Sequence, residues 1–334
     1  MTSDPMDRAV ALASGGPMHG PNPRVGCVIV DRSGTVIAEG YHRGAGTLHA
    51  EADALANAAA ANVSVAGATA YVTLEPCNHT GRTGPCAEAL VGAQVGRVIY
   101  AVEDPNPTAA GGAYYLREHG VEAVFAAHTE AEGLNHRWLV AMARQRPYVI
   151  AKWASTLDGR TAAADGTSFW ITGEEARDHA HRERASVDAM IVGTGTVATD
   201  DPELSARPAG VDRPHQPLRI VLGERETPGA HVWRDLNAVH VRSRDAHAGL
   251  AEAWSRECRV VLIEGGATVT SAFLREGLVD EIQAYIAPAL LGDGPTAVAG
   301  LGIGTMAGAL RGRDVTVTRL GADTLVTAHL TEAP

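Results

Sequence analysis

His49-Ala50-Glu51, followed further on by Pro76-Cys77-Asn78-His79-Thr80-Gly81-Arg82-Thr83-Gly84-Pro85-Cys86, is the stretch on which the reading of this chain turns. One histidine and two thiolates hold a zinc ion and leave its fourth position open, the ligand set of a catalytic rather than a structural site. Zinc so held activates water for attack on an amidine-type carbon. That carbon carries an amino leaving group, so a carboxylate must take the water's proton and pass it to the departing nitrogen. Glu51, beside His49 but not itself a ligand, suits that shuttle. The plain alternative for His-x-Glu alone is a satisfied histidine with two buried free cysteines. Strand and helix signals on either side, with Pro-Cys downstream, decide for the metal. Cys27 lies in an apolar strand and is read as core.

Working outward, the first half alternates helix and strand. Ser3 or Asp4 caps a helix with Pro5 in its first turn and Met6, Ala9, Val10 and Ala13 on its apolar face. Val25 to Val30 reads as a buried strand and Val36 to Gly40 as its hairpin partner. An alanine-rich helix spans His49 to Ala61, a strand Ala70 to Leu74, and a helix capped by Thr83 spans Pro85 to Val91. Val98 to Val102 is a strand and Tyr114 to His119 helical. Arg144 to Pro147 is a polar break, dividing the chain into 1–145 and 146–334. Strands then follow at Tyr148–Trp153, Ala189–Val192, Leu218–Leu222, Ala238–Val241, Val260–Ile263 and Glu281–Ile286. Helical stretches such as Gly173–Arg184 and Thr268–Glu276 lie between them, the pattern of an α/β fold with a mostly parallel sheet.

Composition narrows the function. The 334 residues, 45% hydrophobic and 20% charged, suit a globular chain of two ordinary domains. A net charge of −11 argues against nucleic acid as a partner, though a few local arginines can still grip a small anion. No apolar run approaches the roughly 18 residues of a membrane span, so no membrane partner is expected. The acidic start, Asp4 to Asp7, lacks the n- and h-regions of a secretory signal, and a cytoplasmic protein is expected. Four cysteines are too few for a disulfide scaffold.

The second half lacks Gly-x-Gly-x-x-Gly after a strand, which argues against a Rossmann dinucleotide domain. Instead Val260–Ile263 runs through Glu264 into Gly265-Gly266 and a helix. Paired glycines let backbone amides approach a pyrophosphate, although a tight turn explains them equally well.

The wide Cys77–Cys86 spacing, Pro21-Asn22-Pro23, the strand Val25-Gly26-Cys27-Val28-Ile29-Val30 and Asp104-Pro105-Asn106-Pro107 resemble the deaminase half of the riboflavin-biosynthesis deaminase–reductase family. The histidine, glutamate and paired cysteines also follow the general zinc base-deaminase signature. Lys152 to Ala162, Ser168-Phe169-Trp170-Ile171-Thr172, Gly193-Thr194-Gly195-Thr196 with Asp200-Asp201-Pro202, and Ala287 to Gly292 resemble its reductase half, in the expected order. The resemblance implies a cytidine-deaminase-like α/β/α domain followed by a dihydrofolate-reductase-like α/β domain that uses NADPH. It implies zinc on His49, Cys77 and Cys86, with Glu51 catalytic. Asn22, His42, His79 and Arg82 would contact a phosphorylated pyrimidine, with Thr80 nearby; Ser168, Arg184, Leu204, Arg207 and Glu264 would contact it in the reductase. NADPH contacts would come from Ala154, Trp170, Thr196, Asp200 and the run Gly266, Ala267, Thr268, Val269, Thr270, Ser271 and Ala272. A homo-oligomer built through the reductase domain is also expected.

The implied chemistry is deamination of 2,5-diamino-6-(ribosylamino)-4(3H)-pyrimidinone 5′-phosphate, then reduction of its ribosyl group, giving 5-amino-6-(ribitylamino)uracil 5′-phosphate. Two alternatives are a deaminase whose second domain binds nucleotide without reducing anything, and a non-enzymatic zinc-stabilised module. Glu51 speaks against the latter, because a structural site needs no shuttle carboxylate.

Several contacts have plain alternatives: loop capping for Asn22, a surface position for His42, solvated faces for the arginines, core for Trp170, a turn cap for Asp200. Arg242 and Arg244, after a strand, are candidates for selecting NADPH over NADH. Lys152 stands out because the other 27 of the chain's 28 basic residues are arginine. It lies inside the first reductase motif, where it would supply a proton, orient the substrate or pair with Glu264.

Overall fold

Strand β1 (Gly26–Val30) is buried along its whole length because both faces of its sheet are covered. Cys27 and Ile29 enter one apolar core; Val28 and Val30, pointing the other way, enter a second. This is seen in a computed structural model that describes residues 4–79, 84–235 and 237–330. The chain divides into two compact units, Met1–Gln145 and Arg146–Pro334.

In the first unit, β1 lies antiparallel to both β2 (Val36–Tyr41) and β3 (Thr69–Val72). Strands β4 (Arg97–Tyr100) and β5 (Glu122–Phe125) continue in parallel, giving the order β2-β1-β3-β4-β5. Helices α2 (Ala50–Ala60), α3 (Cys86–Gly92) and α4 (Gly112–Glu118) supply the core on the Cys27 face. Helices α1 (Pro5–Ala13) and α5 (Thr129–Arg144) supply the other. Two glycines make this approach possible. A Cβ on Gly26 would stand 2.0 Å from the carbonyl oxygen of Ala9, and one on Gly40 would stand 2.3 Å from the nitrogen of Ala54.

In the second unit the sheet order is β12-β13-β11-β6-β10-β7-β8-β9. Its six inner and far-side strands are β6 (Tyr148–Thr156), β7 (Ala189–Gly193), β8 (Leu218–Leu222), β9 (Ala238–Val241), β10 (Val260–Ile263) and β11 (Glu281–Ala287). These six pair in parallel; the hairpin β12 (Gly312–Leu320) and β13 (Asp323–Leu330) closes one edge antiparallel. Helices α6 (Glu174–Ser186), α7 (Thr194–Asp200), α8 (Ala246–Ser255) and α9 (Ala267–Arg275) lie between strands. Alternate residues of β6, Val149 and Ala151, face the same core as Ile191, Val261, Ile263 and Phe273.

The α/β reading holds, with three differences in detail. The first sheet is half antiparallel. Helix α5 runs to Arg144, so the break between units shrinks to Gln145–Pro147, with Gln145 left-handed at the helix end. The strand β5 and the hairpin β12–β13 are elements the sequence pattern did not signal. Asp4 caps α1 by accepting from Met6 N at 2.7 Å, whereas Ser3 and Thr83 lie outside the described residues.

Candidate functional sites in the two units

His49 immediately precedes α2, Glu51 is in its first turn, Cys77 lies in the loop after β3, and Cys86 opens α3. Two helix N-termini thus converge on one point. The Nδ1 atom of His49 is 3.5 Å from Cys77 Sγ and 3.4 Å from Cys86 Sγ, and the three donor atoms lie within 4.8 Å of one another. A tetrahedral zinc with ordinary bond lengths wants nitrogen–sulfur separations of roughly 3.6 Å, so the donor set fits the ion. Among the described residues no other cluster of this kind is found, and Cys27 takes no part in it.

The electrostatics suit the same purpose. A hydrogen bond from Cys86 and another with His49 outweigh burial to draw the Cys77 thiol down to about 4, favouring the thiolate form that a metal ligand takes. Burial, with the Cys77 charge adding to it, pushes the fully enclosed Glu51 carboxyl up to about 7. An acid so placed can both accept and return a proton near neutrality.

His42, taken alternatively as a surface residue, is only 4% exposed. Its Nδ1 faces the Leu48 carbonyl at 2.9 Å and its Nε2 faces the Asn22 side-chain nitrogen at 2.9 Å. Burial lowers its pKa, against the Leu48 bond, so the ring is neutral: Nδ1 donates and Nε2 accepts from Asn22. The His42 ring stands edge-on to that of His49, centroids 5.2 Å apart, so His42, with Asn22 bonded to it, lies beside one of the three candidate ligands. The loop bearing Asn22 is tied to α5. Trp138 donates to the Pro21 carbonyl at 2.8 Å, and Asn135 both accepts from Arg24 N and donates to Arg24 O. His79 has a buried Nδ1 for which no hydrogen-bond partner is found among the described residues. Thr80 and Arg82 lie outside the described residues.

In the second unit, Glu264 follows β10 directly and Lys152 sits on β6, the neighbouring strand. Arg184, near the end of α6, meets Glu264 with two bonds, Nε to Oε1 at 2.7 Å and Nη2 to Oε2 at 2.8 Å. Lys152 Nζ donates to Oε2 at 3.3 Å, the pairing with Glu264 that was one of its three possible roles. Burial alone would raise the Glu264 carboxyl, but Arg184 and Lys152 outweigh it and hold the group well below the usual carboxylate range.

Arg184 also donates to the Ser205 carbonyl at 3.2 Å, and His181 Nδ1 lies 3.0 Å from the same oxygen. Together they pin the loop carrying Leu204, which is buried and left-handed at φ 54°, and Arg207, which pairs with Glu203. Trp170 is 68% exposed with the Arg177 guanidinium 4.5 Å from its ring centroid, which excludes a core role. Ser168 is half-buried in the preceding loop and Ala154 half-buried on β6.

Asp200 ends α7 and is exposed; its neighbour Asp201 makes the turn contact, accepting from His231 N at 2.7 Å. Thr196 Oγ1 accepts from Gly266 N at 3.2 Å, joining α7 to the glycine turn. No side chain caps α9, so its first amides, at Ala267 and Thr268, suit a phosphate. Deeper in that run, Val269 packs on the core, Thr270 bonds Gly265 O, and Ser271 accepts from Ala299 N, so those side chains serve the fold; Ala272 is half-buried. Arg242 is engaged by Glu226.

Residues 2–102 match the family described as the cytidine and deoxycytidylate deaminase zinc-binding region, and residues 147–326 match the RibD C-terminal domain. The riboflavin biosynthesis protein RibD of Corynebacterium ammoniagenes is 45% identical over 298 residues, spanning 86% of this chain and 87% of that protein. The Escherichia coli K12 protein of that name is 38% identical, spanning 86% and 88%. The solved structure of Acinetobacter baumannii RibD superposes with a TM-score of 0.86 at 40% identity over 98% of both chains. That of a Thermotoga maritima diaminohydroxyphosphoribosylaminopyrimidine deaminase/5-amino-6-(5-phosphoribosylamino)uracil reductase gives 0.83 at 29% identity, also over 98% of both. With a zinc-deaminase unit followed by a reductase unit over nearly its whole length, the chain belongs to the RibD family of bifunctional deaminase–reductases of riboflavin biosynthesis.

Proposed function

We propose that the first unit deaminates 2,5-diamino-6-(ribosylamino)-4(3H)-pyrimidinone 5′-phosphate and that the second reduces the ribosyl chain of the product to ribityl with NADPH. The observation that carries this is the His49, Cys77 and Cys86 triangle with the enclosed acid Glu51 in the adjoining helical turn. Zinc held there supplies Lewis acidity toward water. Glu51 takes the proton of that water and returns it to the departing ring amine, so that water and substrate leave as ammonia and a carbonyl. His42 and Asn22, locked as a donor–acceptor pair, and His79 orient the pyrimidine edge. The family resemblance assigns the phosphate to Arg82.

In the second unit NADPH supplies the hydride, held by the amides at the start of α9 and by Thr196, Trp170, Ala154 and Asp200. Lys152 gives charge support beside the carbon being reduced, with Glu264 fixing its ammonium. Ser168, Leu204, Arg184 and Arg207 frame the phosphorylated chain. Copies associate through this unit, and the enzyme works in the cytoplasm on small molecules. Purified protein incubated with the diaminopyrimidine phosphate should release ammonia without NADPH, and should give the ribityl product only with it. Absence of ammonia release overturns the first assignment; ammonia without NADPH consumption overturns the second.

A further inference from the structure

Lys152 is gripped from two sides of its strand. On one side lies Glu264 at 3.3 Å; on the other, the Lys152 ammonium stands 5.4 Å from the centroid of the Tyr285 ring. Register explains the second contact. On the parallel neighbour β11, Gln283 pairs with Lys152 and Tyr285 with Ala154, so Tyr285 is the diagonal neighbour of Lys152 across the strands. The Tyr285 ring is 1% exposed, packed under Ala176 and Ala180 of α6, and its hydroxyl meets His179 Nδ1 at 2.8 Å.

Charge shows why the ring matters. Glu264 serves two cations, Arg184 and Lys152, and Arg184 takes both carboxylate oxygens at shorter range. The carboxylate alone therefore holds Lys152 loosely, and the negative face of an aromatic ring within about 6 Å completes the cradle. We infer that Tyr285 is a positioning residue for the reduction, its ring face keeping the Lys152 ammonium where the substrate chain is reduced. This rests on the assignment of Lys152 to that reaction.

The test uses full-length, zinc-loaded protein. Tyr285→Phe keeps the ring and loses only the bond to His179, so its kcat for reduction should stay within about twofold of wild type. Tyr285→Leu removes the ring and should lower that kcat about tenfold, within the range of a partly desolvated cation–aromatic contact, with KM for substrate and NADPH little changed. Tyr285→Met, unbranched, makes the same comparison if the leucine variant does not fold. Phenylalanine with a heavily fluorinated ring at this position keeps the shape but withdraws the negative face, and should behave like Tyr285→Leu. Full activity in the fluorinated protein, or equal losses in Tyr285→Phe and Tyr285→Leu, overturns the inference. If Lys152→Arg also reduces normally, the assignment of Lys152 is what has failed; if Lys152→Arg is impaired while Tyr285→Leu is not, only the role of Tyr285 falls.

Discussion

Arg184 and Glu264, 80 residues apart in sequence, form a two-bond ion pair, with the carboxylate side chain only 9% exposed. Each is held at fixed height, and Lys152 is held by what remains of the carboxylate.

Removing one partner strands the others. Glu264→Gln should destabilise the second unit by about 3–5 kcal/mol, because two enclosed cations lose their counter-charge. Since the folded value of Glu264 lies below the unfolded one, its contribution is complete above about pH 4.3 and is lost as the pH falls from there toward the folded value. Chemical unfolding of both proteins at neutral pH and in acid checks this: the gap between them should narrow only in acid. A gap independent of pH would refute the charge argument.

Glu51→Gln should leave about one zinc per chain and abolish ammonia release, because glutamine matches the shape of glutamate but shuttles no proton. Metal analysis beside a deaminase assay decides. Loss of zinc with the activity would make Glu51 part of the metal site rather than the proton carrier.

Lys152→Arg keeps the charge but replaces a compact ammonium, bonded to Glu264 at 3.3 Å, with a larger planar fork whose donors lie elsewhere. NADPH-dependent reduction should fall at least about tenfold, near 1.4 kcal/mol, with zinc content and deamination unchanged. Normal reduction would mean that the chain's one lysine is an accident of its composition.

Asp104 is buried, and burial pushes its carboxyl up to about 6 even though the Asn106 N–H bonded to it works the other way. Here the sign is reversed. An acid raised on folding favours the folded state when protonated, so its ionised form costs stability above that value. Asp104→Asn keeps an acceptor for Asn106 and should stabilise the first unit at pH 7 by at most about 3 kcal/mol. The advantage should shrink as the pH falls from about 6 toward the unfolded value. Thermal unfolding at neutral and mildly acidic pH measures it; a variant no more stable at neutral pH would count against the burial argument.

What the sequence by itself determined is local and periodic. Two strands of the second unit, Ala189–Gly193 and Val260–Ile263, stand out because they are buried along their whole length and read as unbroken apolar runs. The metal triad stands out because zinc accepts so few residue types in so few arrangements. Helix α5 hid because only five of its sixteen residues are buried, and β12 because all but its last residue are exposed on both faces. Which partners meet was decided only by the tertiary structure. His42 reaches Asn22 and His49 through a loop and a hairpin, His181 meets the carbonyl of Ser205, and Tyr285 is brought to Lys152 by strand register. No local pattern encodes such pairs, because each depends on how separate elements pack, and hydrophobic periodicity specifies which face is buried without naming the side chain that will lie across from it.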